Sequence, residues 1–147
     1  MKIRPAIISD IPGMQIVRLA VKENVLSNPN LIPNDAYIPF ITIHGKGWVS
    51  ESDNKITGFA IADLEKENIW ALFVLPEYEG RGIGKDLQKI MLDWYFNTGK
   101  DYVWLGTSPG TRAERFYTKT GWKANGHHGD EVKFEMTKLE WEEVWTH

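Results

Sequence analysis

Residues 69–94 constrain the fold most, because an apolar run, a proline, three glycines and an amphipathic pattern follow one another there. The run IWALFVL, Ile69–Leu75, has the length of a strand and ends at Pro76. After the glycines, apolar residues recur at positions 83, 87, 90, 91 and 94, the spacing of one helix face. The order predicts a central strand covered on both faces, a glycine loop, and a helix that closes at Gly99.

The flanking sequence predicts further strands, most of them in pairs. Turn residues at 52–54 separate two of them and predict a hairpin, and the last pair flanks the sequence NGHHGD. A short charged tail follows that pair. The predicted strands are Lys2–Pro5, Trp48–Ser50, Ile56–Asp63, Tyr102–Thr107, Trp122–Ala124 and Val132–Leu139.

Three shorter helices are also predicted. The first begins at the capping residues Ser9 and Asp10 and carries apolar residues at 14, 17, 21 and 25, before Asn28–Asn30 break it. A second runs from about Asp35 to Ile43, and Gly45 and Gly47 end it. The third begins at the capping-box spacing Thr111–Glu114 and runs through Thr118.

These elements predict one domain over residues 1–147, since there is no repeat, low-complexity tract or interdomain linker. Paired strands come first, then strand–helix–strand–helix, then paired strands again. We therefore expect an α+β fold with a mixed sheet, in which the crossover from Ile69–Leu75 to Tyr102–Thr107 supplies a parallel pair.

Composition excludes several classes of function. The absence of cysteine excludes disulfides, thiolate metal sites and a cysteine nucleophile. A net charge of −3 argues against a general nucleic-acid binder, which usually has a basic face. No apolar stretch is long enough to span a bilayer, so we expect a cytoplasmic protein with no membrane or nucleic-acid partner.

The glycine loop indicates an anion site. A helix N-terminus presents unpaired N–H groups and attracts phosphate where nothing bulky blocks the approach, and Arg81 and Lys85 add positive charge. The alternative is a tight turn that binds nothing. A Walker A loop would need Gly at 79 and Ser or Thr at 86, and a dinucleotide fingerprint would need Gly at 85, so both common nucleotide loops fail on spacing.

Three segments resemble the GNAT acetyltransferase superfamily. The loop EGRGIG, Glu79–Gly84, matches the family's cofactor loop except at Glu79, where the family has Gln or Arg. The preceding ALFVLPEY and the later AERFYTKTGW, Ala113–Trp122, are also similar to family segments. Gly110 departs from the family, which often has Asn there.

The resemblance implies a mostly antiparallel sheet of about six or seven strands, splayed in the middle and flanked by helices, with acetyl-CoA as co-substrate in the splay. The pyrophosphate would lie on the backbone of the loop, and the pantetheine arm would pair with the strand before it. Basic side chains would reach the remaining phosphate. The implied cofactor-binding residues are Leu72, Phe73, Val74, Glu79, Gly80, Arg81, Gly82, Ile83, Gly84, Lys85 and Arg112.

By the same resemblance, Tyr117 is the general acid that protonates the departing thiolate, and its alternative is a packed aromatic residue. A backbone N–H near Phe73 or Val74, where the family often has a bulge, would stabilise the oxyanion. The general base stays unassigned, because Ile69–Leu75 contains no acidic residue. The remaining base candidates are Glu23, His44, Asp63, Glu65, His127 and His128, and the paired histidines lack the further ligands of a metal site.

The resemblance implies an acetyl-CoA-dependent N-acetyltransferase that acts on a primary amine, small-molecule or peptide, by direct attack in a ternary complex. A non-catalytic acyl-CoA-binding module is the alternative, because Glu79 departs from the family and the strand lacks an acid. A phosphotransferase would lack its metal and nucleotide residues. Trp141 and Trp145 suggest a surface for a possible homodimer.

Overall fold

The computed structural model describes residues 1–21 and 32–146, so Glu23, Val25 and Asn28–Asn30 lie outside the described residues. The described chain forms two compact units, Met1–Met91 and Leu92–His147. Seven β-strands and five α-helices are present in the described part, which confirms the α+β class and the expected number of strands. The assignment of residues 1–147 to a single domain stays a prediction. No helix in the described part is both long and apolar enough to cross a membrane.

The first unit is an antiparallel sheet with helices packed on it. Its strands are β1 (Lys2–Pro5), β2 (Gly45–Ser52), β3 (Lys55–Asp63) and β4 (Asn68–Val74), paired in that order. Its helices are α1 (Ile11–Ala20) and α2 (Tyr37–Thr42), followed by the first part of α3 (Ile83–Asn97). Met14, Val17, Tyr37, Phe59 and Ile61 are fully buried between α1, α2 and the sheet.

The β2–β3 hairpin forms where it is predicted, and its turn is Asp53–Asn54. Both residues have positive φ, +52° and +63°, as a two-residue turn of type I′ requires. Helix α2 ends at Thr42, before the two glycines, but Gly45 and Gly47 lie in β2, which therefore begins earlier than the predicted Trp48. A Cβ at Gly45 would lie 1.7 Å from the Ala62 carbonyl oxygen, so the close approach of β3 requires glycine there.

Helix α1 is shorter at its end than the apolar pattern predicts. Val21 has an extended conformation, so the helix ends at Ala20. The predicted cap at Asp10 is also different in kind, since its carboxylate accepts from Ile7 N at 2.8 Å and from Arg4 instead of from a helix amide. Asp10 thus holds the turn before α1 rather than capping the helix.

Strand β4 is covered less fully than predicted. Ile69 and Ala71 are buried, whereas Leu72, Phe73 and Val74 are half-buried. In the β3–β4 register Ile61 faces Ala71 and Ala62 faces Ile69, so Trp70 is an extra residue in β4. The extra residue shifts the alternation of side chains, so residues before the bulge point to the opposite face from the one that a regular strand would give them.

Helix α3 follows the glycine loop as predicted. Ile83, Leu87 and Met91 are buried on its apolar face, but Ile90 is 38% exposed and lies outside that face. Its first nine residues belong to the first unit and the rest to the second.

The second unit has three antiparallel strands in the order β5–β7–β6. They are β5 (Tyr102–Thr107), β6 (Lys123–His128) and β7 (Glu131–Thr137), with α4 (Arg112–Lys119) before β6. Strand β6 continues through Asn125–His128, which the sequence predicts as loop, and the turn is shorter. The β6–β7 register shifts between Ala124 and His127, and Gly126 has φ +75°, so a bulge accommodates the turn-forming residues within the strand.

The predicted charged tail is instead helix α5 (Lys138–Thr146). Thr137 and Glu140 cap it reciprocally, because Thr137 N donates to Glu140 Oε1 at 2.9 Å and Glu140 N donates to Thr137 Oγ1 at 3.2 Å. Trp141 is 3% exposed and its Nε1 donates to Asp93 Oδ1 at 2.9 Å. The assignment of Trp141 to an exposed dimer surface is therefore wrong.

Candidate active site

The glycine loop is an open backbone turn between β4 and α3. A short 3₁₀ turn, Pro76–Tyr78, leads to Glu79 in extended conformation, and Gly80 and Gly82 follow with φ of +78° and +83°. Residues with a Cβ rarely adopt these angles. A Cβ built at either glycine would meet no atom within 4 Å. The glycines are thus required by conformation, and the described part of the chain leaves open space within 4 Å of each built Cβ.

The start of α3 leaves amide groups beside this turn. The first helical hydrogen bond runs from Asp86 N to Gly82 O at 3.0 Å, so the N-terminus of α3 follows the turn directly. The side chain of Ile83 is buried and anchors the turn in the core. A helix N-terminus next to an open turn fits a phosphate group.

Two basic side chains flank Tyr78, just before the loop. The Arg81 guanidinium carbon lies 4.9 Å from the centre of the Tyr78 ring, and Lys55 Nζ lies 5.8 Å from it. Lys85 is exposed in the first turn of α3. Sequence reasoning missed Lys55, because the fold of the β2–β3 hairpin, and no local motif, brings it to this place.

Leu72, Phe73 and Val74 pair regularly with Ala60, Phe59 and Gly58 of β3. The bulge expected near Phe73 or Val74 is therefore absent from this pairing, and the irregularity lies at Trp70 instead. Phe73 packs on the core of the first unit, with its ring 5.6 Å from that of Phe59.

In the second unit, the predicted general acid is a buried aromatic residue of α4. Tyr117 is 7% exposed, and its ring lies 5.7 Å from Trp122 and 6.0 Å from Phe134. Burial raises the pKa of the Tyr117 hydroxyl well above its usual range. The hydroxyl is thus protonated throughout the physiological pH range.

The start of α4 is capped as the sequence predicts, with one variation. Thr111 Oγ1 accepts from Glu114 N at 3.2 Å, but the Glu114 carboxylate accepts from Gly110 N at 2.8 Å instead of from the capping residue. Gly110 has φ +74°, a conformation that glycine adopts readily. Arg112 is exposed in the first turn of this helix.

The described base candidates have other roles. Asp63 is 2% exposed and accepts from the backbone N–H groups of Glu65 and Lys66 at 2.9 and 3.4 Å, so it holds the turn before β4. The Glu65 carboxylate contacts His44 Nδ1 at 2.5 Å and is largely exposed.

His127 and His128 lie in the exposed strand β6, and the His128 ring packs against Trp104. The described residues contain no group of three His, Cys, Asp or Glu placed to hold a metal ion. In the first unit, the described carboxylate candidates are thus engaged, Asp63 in a turn and Glu65 with His44.

Comparison with known proteins gives consistent matches. The family model of the Acetyltransferase (GNAT) family matches residues 16–122. Uncharacterized N-acetyltransferases of Mycobacterium tuberculosis and Mycobacterium bovis are 37% identical over 78 residues, which are 50% of this chain and 50% of each relative. The match therefore spans about half the length of these relatives.

Solved structures share the fold over most of the chain. A GNAT-family acetyltransferase of Staphylococcus aureus Mu50 has a TM-score of 0.77 at 18% identity and covers 92% of this chain and 98% of its own. The PaiA N-acetyltransferase of Thermoplasma acidophilum, solved in complex with coenzyme A, has a TM-score of 0.71 at 16% identity, with the same coverage of both chains.

Proposed function

The chain belongs to the GNAT acetyltransferase family, and on this premise we propose that it transfers an acetyl group from acetyl-CoA to a primary amine. The amine attacks directly, with both substrates bound at once. The observation that carries the proposal is the open turn at Gly80 and Gly82, followed directly by the N-terminus of α3. We also propose that the acceptor is a small-molecule or peptide amine and that the protein is cytoplasmic.

The residues around the glycine loop fit the donor. The backbone of Gly80–Gly84 would hold the pyrophosphate, Arg81 and Lys85 would contribute positive charge, and Leu72, Phe73 and Val74 would pair with the pantetheine arm. Arg112 remains a candidate for a further phosphate contact, and Glu79 contributes its backbone. Lys55 joins the set, because it lies beside Tyr78 with Arg81. Bound there, acetyl-CoA supplies an acetyl group already activated as a thioester.

The amine must lose a proton before it attacks. An alkyl ammonium with a pKa of about 10.4 is neutral to roughly one part in a few thousand at pH 7, a cost of about 4–5 kcal/mol. In the first unit, the described carboxylate candidates are already engaged, since Asp63 holds a turn and Glu65 pairs with His44. We therefore propose that water removes the proton, and that kcat/KM rises with pH towards the pKa of the amine.

Tyr117 is proposed as the general acid. A group that donates a proton must still carry it at the working pH, and burial keeps the Tyr117 pKa high.

The proposal is tested by acceptor-dependent release of coenzyme A from acetyl-CoA across a panel of primary amines. We expect release with at least one amine, together with an acetylated product of the corresponding mass. If acetyl-CoA binds but no amine raises release above the rate in buffer, the proposed reaction is wrong and the chain is a non-catalytic acyl-CoA-binding module.

A further inference from the structure

We propose that Arg18 binds a carboxylate of the acceptor, so that the acceptor is a primary amine that also carries a carboxylate, the class that includes free amino acids. This inference rests on the proposed function and specifies its acceptor. It depends on the surroundings of the Arg18 guanidinium, which lies in the last turn of α1.

The Arg18 guanidinium lies among aromatic rings. Its central carbon is 5.0 Å from the centre of the Trp70 ring, 5.0 Å from that of Phe73 and 5.9 Å from that of Tyr37. Aromatic faces attract the flat faces of a guanidinium, whereas they offer nothing to the N–H groups along its edge. The rings therefore attract the positive charge of the group without accepting its N–H hydrogen bonds.

Within residues 1–21 and 32–146, no carboxylate pairs with Arg18. Its one hydrogen bond in this part of the chain is a long one, from Nη1 to Tyr37 Oη at 3.4 Å. Tyr37 does not offset the charge, because burial raises the pKa of its hydroxyl and keeps it neutral, although Arg18 opposes that shift. The same hydroxyl donates to Gln15 Oε1 at 2.7 Å. Among the described residues, only one of the five donors of the guanidinium is used, and a carboxylate would accept two of the other four in parallel.

The bulge in β4 creates this arrangement. Side chains three residues apart in a regular strand point to opposite faces, so Trp70 and Phe73 would be separated. The extra residue at Trp70 changes the alternation, and both rings pack against the core formed with α1 and α2. Trp70 is also held by Phe40, whose ring is stacked on it with the centroids 4.3 Å apart, and by Tyr37, whose ring is nearly perpendicular to it with the centroids 5.1 Å apart.

The position of Arg18 suits an acceptor-binding role. Phe73, which the guanidinium touches, lies in the segment of β4 proposed to pair with the pantetheine arm. An amine whose carboxylate is held at Arg18 would have its nitrogen a few bonds away, beside that strand. A short amino acid places the two groups at such a separation.

The test measures binding and turnover separately, with matched probes. L-leucine, L-methionine and L-phenylalanine are each compared with the corresponding amino acid amide, which keeps the amine and side chain and removes the negative charge. O-phosphoethanolamine and ethanolamine form a second pair, in which the anion is a phosphate. Binding is measured by titration calorimetry with and without coenzyme A, and turnover by release of coenzyme A from acetyl-CoA.

We expect at least one amino acid to bind about 10- to 100-fold more tightly than its amide, the range for a charge-assisted bidentate pair. Arg18→Gln should abolish this preference, and Arg18→Lys, which keeps the charge but not the planar fork, should retain only part of it. Arg115→Gln, at an exposed arginine of α4, is the matched control and should leave the preference unchanged. Arg18→Lys keeps the test valid if Arg18→Gln fails to fold.

The inference is overturned if no amino acid binds more tightly than its amide, if the preference survives in both Arg18 variants, or if the phosphate-bearing amine alone binds. Turnover of the amides with no preference for the acids would overturn it and leave the proposed function intact. Binding of the acids through Arg18 without release of coenzyme A from any acceptor would support the carboxylate site and contradict the proposed function.

Discussion

The sequence allows two interpretations of Tyr117, a packed aromatic residue or a general acid, and its burial is compatible with both. Its ring packs against Trp122 and Phe134, and the same burial raises the pKa of its hydroxyl. The sequence distinguishes these two interpretations only through the family motif, because a tyrosine can serve either packing or proton donation. A variant that removes the hydroxyl and keeps the ring separates them directly.

We predict that Tyr117→Phe lowers kcat by about 10²- to 10⁴-fold, the range for loss of a general acid, with little change in thermal stability. Since burial raises the pKa of Tyr117, the wild-type enzyme should show no loss of activity from this residue as pH rises to 9. The measurement is the pH–rate profile of both proteins from pH 6 to 9, with an acceptor identified in the panel.

Tyr95→Phe is the control for that experiment. Tyr95 is also fully buried, but its hydroxyl donates to Tyr102 O at 2.6 Å, a structural contact. This variant should lose stability and keep its rate. Equal rates for wild type and Tyr117→Phe at every pH would remove Tyr117 from the mechanism.

Arg18 was not recognised in the sequence, although it lies in a helix that the sequence predicts. Its surroundings come from Trp70 and Phe73 of β4 and Tyr37 of α2, segments far apart along the chain. The bulge that brings the two β4 rings to one face has no local signal in IWALFVL. Long-range register, rather than a motif, therefore determines this part of the candidate site.

At the scale of elements, segments with a continuous pattern were predictable. Segments that contain many turn-forming or charged residues were not. Strands β1 and β5 and helix α3 follow continuous patterns and appear where expected. The end of β6 was missed because glycine and asparagine usually form turns, yet a bulge keeps them in the strand. Helix α5 was missed because its charges suggested a tail, although Thr137 and Glu140 have the capping-box spacing that could have revealed it.

The contact between β1, β2 and the turn before α1 predicts a pH-dependent stability. Arg4 of β1 donates to both oxygens of Asp10 at 2.8 Å and to Glu51 of β2 at 3.1 Å. The hydrogen bond from Arg4 lowers the pKa of Asp10 below its ordinary value. A carboxyl group with a lowered pKa in the folded state stabilises it above the unfolded pKa of about 3.9, and this stabilisation is lost as pH falls through the folded pKa.

We therefore predict that Asp10→Asn lowers the free energy of unfolding by about 1–3 kcal/mol at pH 7, and by much less near pH 2, where the wild-type carboxyl is protonated. Urea unfolding at both pH values measures the difference. Asp35→Asn, at an exposed aspartate, is the control and should change stability little at either pH. An equal loss at both pH values would mean that the charge of Asp10 does not contribute.

At the scale of the whole molecule, the sequence predicts the fold class better than it predicts the site. Two motifs in the right order indicate the family, and the family model and the shared fold of solved structures agree with them. Glycines in a fixed pattern are informative because few backbone conformations require them, and Gly80 and Gly82 do adopt positive φ. The proposed acceptor site, by contrast, is formed by side chains of α1, α2 and β4, whose meeting depends on packing rather than on local sequence.

The most direct test of the central claim is the binding of acetyl-CoA to the glycine loop, measured by thermal shift and calorimetry on three proteins. They are the wild type, Gly82→Val, and Gly126→Val as matched control. Both glycines have positive φ, +83° and +75°, and open space around a built Cβ, so valine introduces similar strain at each. Gly126 lies in β6, away from the proposed donor-binding residues along the chain.

Ligand at 100 times its dissociation constant should stabilise the wild type by about 2.7 kcal/mol, a shift of several degrees. We predict that Gly126→Val keeps this shift and that Gly82→Val, although folded, loses it. Equal shifts in the two variants, or no shift in the wild type, would contradict the assignment of the loop as the acetyl-CoA site.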